Sequence, residues 1–255
     1  MNSVIEFLGI TVPLYGIFYY LGIFFAALTA FFLSRKKIPA YDLVCSSVYS
    51  VLGGVAGAKL LFLAVSFPEI IALNIPITAL IKGGFVFYGG LFGGMAGLLF
   101  YCRKFRLPFW DYASLYSVVL PLGHAFGRVG CHFAGCCYGG PYDGPFSVCY
   151  KESMGATPLG VPLFPVQLLE SVLLLILFLI LLFVYQRQKG GEKQIAAGLY
   201  GVLYALLRFS LEFLRADDER GAFWIFSTSQ WISLFLFLFG LFILFFLGKK
   251  TKYRT

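Results

Sequence analysis

The sequence contains little charge, little histidine and little methionine for its length. Charged residues make up 13% of the 255 residues, and the chain has 2 His and 3 Met. A typical soluble domain carries about 25% charged residues. So few charges, together with 60% hydrophobic residues, exclude an ordinary soluble domain. Because the apolar runs are long and continuous, they favour membrane-spanning helices over a transmembrane barrel. The sequence therefore predicts an all-α integral membrane protein.

Other features are absent from the ends and the middle of the chain. The N-terminal residues MNSVIEFLGI lack a basic region and a small-residue cleavage site, so we expect no cleaved signal peptide. No linker or low-complexity stretch divides the sequence. We therefore predict a single polytopic membrane domain over residues 1–255, with its main outward loop at about 129–165.

Apolar segments close to the ~20 residues of a spanning helix predict about seven transmembrane helices. They lie at roughly 14–33, 43–66, 84–101, 112–128, 166–185, 197–214 and 230–247. Thirteen of the 20 basic residues follow the first, third, fifth and seventh segments, and loops of this kind face the cytoplasm. The N-terminus is then outside and the C-terminus is cytoplasmic. The loops near residues 67–83, 129–165 and 215–229 face outward.

The net charge of +8 would suggest a nucleic-acid partner if the protein were soluble. Here the basic residues lie between membrane spans, and a nucleic-acid site would gather them on one face. We therefore expect them to contact anionic membrane lipids, and we predict no nucleic-acid partner.

Tyr204, Arg208, Glu212 and Arg215 are spaced by four, four and three residues along the sixth apolar segment. Helical geometry would put all four on one face, with Arg208 and Glu212 paired in the bundle interior. The pair is either purely structural or part of an anion site, because a guanidinium presents a fork of donors suited to phosphate oxygens. Arg128, at the outward end of the fourth segment, favours the anion site.

The stretch from Leu122 to Tyr150 concentrates the reactive side chains of the protein. It holds both histidines and four of the 6 cysteines, namely His124, His132, Cys131, Cys136, Cys137 and Cys149. The C-x4-C-C spacing is not a standard zinc spacing, so we assign no metal ligand and no cofactor. A disulfide from Cys136 or Cys137 to Cys149 and a reactive thiol both stay open.

These residues and their order resemble the bacterial prolipoprotein diacylglyceryl transferases. The resembling stretches are Tyr15-Gly16, GGVAGAKLL at 53–61, GGFVFYGGLFGG at 83–94, PLGHAFGRVG at 121–130, PVQLLES at 165–171, YALLRFSLEFLRADD at 204–218 and SQWIS at 229–233. The resemblance implies an enzyme that moves a diacylglyceryl group from phosphatidylglycerol to the lipobox cysteine thiol of a prolipoprotein signal peptide. It also implies a multi-pass protein of the bacterial plasma (inner) membrane, with its active site facing outward.

The sequence departs from the family pattern after the shared Gly-Arg-x-Gly signature. Where the family has two asparagines and a glutamate, this chain has Cys131, Ala134 and Cys136. Tyr88 stands for a family histidine, and Lys59 stands for a family arginine. The resemblance thus implies that the anion-binding part of the active site is intact. The part that would handle the proton and position the acceptor has thiols and His124 instead of the family residues.

The resemblance also suggests residue roles. Arg128 and Arg208 would clamp the phosphate, with Glu212 and Tyr15 orienting them and Arg215 near the mouth of the site. Cys136 would take the place of the glutamate. His124 would act as the base, because it lies four residues before Arg128 on the same helix face. We expect the other substrate-binding residues to be Tyr15, Tyr88, Arg215, Gly139, Gln167, Glu170 and Lys59. Two alternatives remain: a paralogue with the same lipid donor and another acceptor, with Cys136 forming a covalent intermediate, or a membrane thiol or metal-binding protein on the same fold.

Overall fold

The apolar segments fold into long α-helices, as the sequence predicts. The computed structural model describes residues 3–7, 10–35, 37–67, 84–153, 155, 157–188, 194–217 and 222–247. Within them the helices are α1 Leu14–Ser34, α2 Ala40–Val65, α3 Phe87–Lys104, α4 Phe109–Ala134, α5 Val166–Arg187, α6 Ile195–Leu211 and α7 Thr228–Phe242. A 3₁₀ turn, Glu212–Leu214, continues α6, and a π-helical turn, Ile243–Leu247, continues α7.

Short antiparallel hairpins lie between the helices. Their paired strands are β1 Val4–Phe7 with β2 Ile10–Pro13, β3 Val148–Cys149 with β4 Pro162–Leu163, and β5 Ala222–Phe223 with β6 Phe226–Ser227. Most of the predicted outward loop at 67–83 lies outside the described residues, as do the basic residues after residue 247.

Helices long and apolar enough to cross a membrane account for about half of the described chain. Within the described ranges there are five of them, formed by α1, α2, α5, α6 with its 3₁₀ turn, and α7 extended to Phe245. Large apolar side chains point away from the protein on these helices; Phe24 is 58% exposed, Leu60 66% and Val172 54%. Such surfaces are stable in lipid and costly in water. The protein is therefore a mostly helical, multi-pass membrane protein.

The chain divides into two compact units, Met1–Ala30 with Ser114–Thr255, and Phe31–Ala113. In the second unit α2 and α3 cross at backbone contact: a Cβ added at Gly57 would lie 2.8 Å from the Cα of Gly93. Only residues without side chains permit this approach, which is how small residues let membrane helices pack.

In the first unit α4 is packed against α1 and α5. The rings of Phe18 and Phe133 stack with centroids 5.2 Å apart, and a Cβ at Gly22 would lie 2.8 Å from the carbonyl oxygen of Gly123. On the α5 side, Ser171 Oγ donates to the carbonyl of Ala125 at 3.0 Å. These contacts fix the C-terminal half of α4, which carries the polar residues of the site.

Candidate functional site

Arg128 on α4 pairs with Glu170 on α5. Arg128 Nε lies 3.0 Å from Glu170 Oε1, and the two side chains are 13% and 1% exposed. The sequence indicated that Glu170 would need a partner, but spacing along the chain could not identify it. A buried carboxylate left unpaired costs several kcal/mol, so this pair sets the position of the Arg128 guanidinium.

Arg208 and Glu212 form the second buried ion pair, which confirms the pairing expected from their spacing. Arg208 Nη2 lies 2.8 Å from Glu212 Oε2, with the side chains 8% and 4% exposed. Ser227 Oγ donates to Glu212 Oε1 at 2.7 Å, and the same serine caps α7. Arg208 Nη1 is buried and has no hydrogen-bond partner within the described chain. One branch of the guanidinium is therefore fixed by Glu212, and the other is a donor available to a ligand.

The prediction that Arg215 shares a helical face with Tyr204, Arg208 and Glu212 is wrong. Helix α6 ends at Leu211, and Arg215 has extended backbone, with φ −88° and ψ 143°. Its guanidinium binds Asp217 through two hydrogen bonds, of 3.0 and 2.6 Å. The chain has left the helix by this point because the 3₁₀ turn tightens it after Leu211.

His124 lies on α4 against Tyr204 of α6, with ring centroids 5.8 Å apart. Its imidazole is close enough to Arg128 and Arg208 to interact with both charges. Helices α4, α5 and α6 therefore bring together His124, both arginines and both glutamates, which the sequence assigned to the same site.

The end of α4 folds its cysteines together. The N–H of Gly135 donates to the carbonyl of His132 at 3.3 Å, and the N–H of Cys136 donates to the carbonyl of Cys131 at 3.2 Å. With Gly135 at φ +65°, this is a Schellman motif. It turns Cys136 back over Cys131, and the sulfurs of Cys131, Cys136 and Cys137 all lie within 4.8 Å of one another.

The three thiols are not equivalent. The pKa of Cys137 lies below its ordinary value, because the thiols of Cys131 and Cys136 hydrogen-bond to it and the positive charges of Arg128 and Arg215 add to the effect. Cys137 also has φ 56°, a left-handed conformation that non-glycine residues seldom adopt. All six cysteines are unbridged, so the disulfide to Cys149 considered from the sequence is not formed.

Gln167 at the start of α5 supports the cysteine loop. Its Nε2 donates to the carbonyl of Cys136 at 2.8 Å and to the hydroxyl of Tyr150 at 3.4 Å. Tyr150 also lies 3.3 Å from Nδ1 of His132, and burial raises the pKa of Tyr150 to about 12. The sequence did not single out Tyr150, because an aromatic residue in an irregular loop has no periodicity to mark it.

Gly139 lies where a side chain has no room. The loop that carries Gly139 and Gly140 bonds to two other segments. The N–H of Gly140 donates to the carbonyl of Leu214, and the N–H of Phe164 donates to the carbonyl of Gly140. A Cβ at Gly139 would lie 2.5 Å from the oxygen of Phe164 and 3.1 Å from that of Leu214. Gly139 therefore lets three segments meet beside Arg215, with which it forms an isolated bridge.

The remaining predicted residues fall in different places. Tyr15 opens α1, and its hydroxyl interacts electrostatically with the three clustered cysteines. Lys59 and Tyr88 lie in the second unit, on α2 and α3. Lys59 Nζ lies 5.0 and 4.9 Å from the ring centroids of Phe62 and Phe85. Substrate roles for these three residues stay predictions.

Two arginine–glutamate pairs buried among apolar helices, beside a thiol cluster, define a polytopic membrane protein that gathers its charge inside the bundle. The family model described as prolipoprotein diacylglyceryl transferase matches residues 2–246. The chain belongs to that family.

Relatives with this activity in their names match most of the chain. A phosphatidylglycerol–prolipoprotein diacylglyceryl transferase of Clostridium tetani is 35% identical over 93% of this chain and 94% of its own length. The second such enzyme of Clostridium perfringens is 33% identical over 92% and 91%. That of Campylobacter curvus is 28% identical over 95% and 92%.

Proposed function

We propose that this protein transfers a diacylglyceryl group from phosphatidylglycerol to the thiol of a prolipoprotein lipobox cysteine. The family membership supports the reaction class, and the names of the relatives supply the lipid donor and the acceptor. The protein is a transferase of lipoprotein biosynthesis.

The observation that carries the proposal is the pair of buried arginines. In this reaction the acceptor sulfur attacks the glycerol carbon, its bond to the phosphate oxygen breaks, and glycerol phosphate leaves with the electron pair. Fixed cations at the leaving group lower the barrier because they need no reorganisation during the reaction. Arg208 would offer the phosphate its Nη1, which has no hydrogen-bond partner in the described chain, and Arg128 would add a second charge. Glu212 and Glu170 hold the two guanidinium groups in place.

His124 is the proposed base, since a neutral imidazole can accept the proton of a thiol with a pKa near 8.5. Its ring interacts with the charges of both Arg128 and Arg208, so it would lie near the reacting thiol if these arginines bind the phosphate. Tyr15, Tyr88, Arg215, Gly139, Gln167 and Lys59 complete the proposed substrate-binding set.

The proposed topology has seven spans in the bacterial inner membrane, with the N-terminus outside and the active site facing outward. In this proposal α3 and α4 also span the membrane, in addition to the five strongly apolar helices. Helix α4 carries Asp111, His124 and Arg128, and the bundle interior would shield these groups from lipid.

The experiment is a reconstituted assay with phosphatidylglycerol and a lipobox peptide, read by mass spectrometry. We expect the mass of a diacylglyceryl group on the cysteine peptide, none on a peptide with serine in its place, and loss of the product in Arg208→Ala. Folded protein that leaves phosphatidylglycerol intact would contradict the proposal. Release of glycerol phosphate without peptide modification would instead favour the same donor with another acceptor.

A further inference from the structure

The three clustered thiols have a fixed backbone. Besides the Schellman motif and the bond from Gln167, the carbonyl of Gly135 accepts hydrogen bonds from Ser153 Oγ, at 2.8 Å, and from Thr157 Oγ1. Cys136 Sγ donates to the carbonyl of Cys131 at 3.7 Å. The loop is therefore anchored from α4, from α5 and from Ser153 and Thr157. Thiols held this way are preorganised, since the entropy of bringing them together is already lost in folding.

We propose that Cys131, Cys136 and Cys137 form a trithiolate site for a thiophilic divalent cation of the Zn²⁺ class. A Zn–S bond of ~2.3 Å and a tetrahedral angle require sulfurs ~3.8 Å apart. The three sulfurs already lie within 4.8 Å of one another. Rotations about the side chains thus suffice, and the backbone need not move.

The surrounding charge suits such a complex. Three thiolates and one divalent cation carry a net charge of −1. Cys137 interacts electrostatically with Arg128 and Arg215, so two cations face the complex. Each arginine also has its own carboxylate, Glu170 or Asp217, which limits the repulsion of the metal. The three cysteines are half-buried.

Within the described part of the chain, the cluster of Cys131, Cys136 and Cys137 supplies three ligand atoms. Catalytic zinc sites have three protein ligands and keep the fourth position for water or substrate, whereas structural sites fill all four. The fourth ligand in this protein is the acceptor thiol, an assignment that rests on the proposed function. The thiol loses its proton to His124 and binds the metal as a thiolate. Its sulfur then forms the bond to the glycerol carbon as glycerol phosphate leaves.

Two of the three proposed ligands lie where the sequence departs from the family pattern. Cys131 and Cys136 stand where the family signature has an asparagine and a glutamate. A metal-bound thiolate is a nucleophile at neutral pH. A metal that binds the acceptor thiol would therefore make the asparagine and the glutamate of the family signature unnecessary.

The first test is metal binding by the full chain in detergent, reduced, stripped with a chelator and titrated with Co²⁺. We expect one ion per chain, with a thiolate-to-cobalt absorption band that Zn²⁺ abolishes. Cys131→Ser, Cys136→Ser and Cys137→Ser should each weaken the band, and Cys149→Ser, an exposed thiol outside the group, should leave it unchanged. Equal binding by a folded variant with all three serines, or no binding by the wild-type chain, would overturn the site.

The second test identifies the fourth ligand by X-ray absorption of the Zn²⁺ form. A lipobox peptide should raise the number of sulfur ligands from three to four, and a peptide with serine should not. Wild-type transfer rates by metal-free reduced protein would overturn the metal's role and leave the proposed function standing. A fourth sulfur without any lipid transfer would keep the site and overturn the proposed function.

Discussion

Replacing Arg208 by lysine separates the charge of this residue from its geometry. In the protein, Nη2 binds Glu212 at 2.8 Å while Nη1 is buried without a partner in the described chain. A lysine keeps the positive charge and can keep the ion pair, but its single ammonium cannot also serve as the second branch of a fork. Arg208→Lys should therefore lose one charge-assisted hydrogen bond to the phosphate.

A hydrogen bond to a charged group contributes about 1.5–3 kcal/mol. At 1.36 kcal/mol for each tenfold change in rate, Arg208→Lys should lower kcat/KM by about 10- to 150-fold. Because Glu212 keeps a cation nearby, the melting temperature should change little. Arg208→Ala removes the ion-pair partner of this buried carboxylate, so it should also destabilise the protein by about 3–5 kcal/mol.

The assay is the initial rate of peptide lipidation in phosphatidylglycerol micelles, with thermal unfolding measured on the same samples. Arg187→Lys is the matched control and should retain the wild-type rate. Arg187 lies at the C-terminal end of α5, against the ring of Phe183, whereas Glu170 of the site lies near the start of this helix. If Arg208→Lys folds normally and also retains that rate, the phosphate clamp is refuted.

The remaining predictions concern stability, measured as the apparent Tm in detergent. Gly139→Ala should cost about 1–3 kcal/mol through overpacking, because its Cβ would meet the carbonyl of Phe164 at 2.5 Å. A Cβ at Gly140 would meet no atom of the described residues within 4 Å, so Gly140→Ala should be neutral. Similar Tm values for the two variants would contradict the packing argument. Ser227→Ala removes both the cap of α7 and the bond to Glu212, so it should cost about 1.5–3 kcal/mol. Ser227→Thr keeps the hydroxyl and should be close to wild type, and a Thr variant as unstable as the Ala variant would rule out this account.

The helices could be predicted because lipid leaves the backbone few options: an apolar run near 20 residues must form its hydrogen bonds internally. The Arg208–Glu212 pair could be predicted for the same local reason, since residues four apart face each other on a helix. The position of Arg215 off the helix could not be predicted. The residue at which a helix ends depends on the chain packed beyond it, which here is the bridge between Arg215 and Gly139.

Composition, run length and ordered motifs were enough to predict the membrane class, the family and the residues able to carry charge or a thiol. Which of these residues meet depends on the packing of the helices. Arg128 and Glu170 are 42 residues apart in the chain and 3.0 Å apart in space. The thiols converge because a Schellman turn reverses the chain at Gly135. Spacing describes neighbours along one element, whereas contacts between elements depend on how the helices pack.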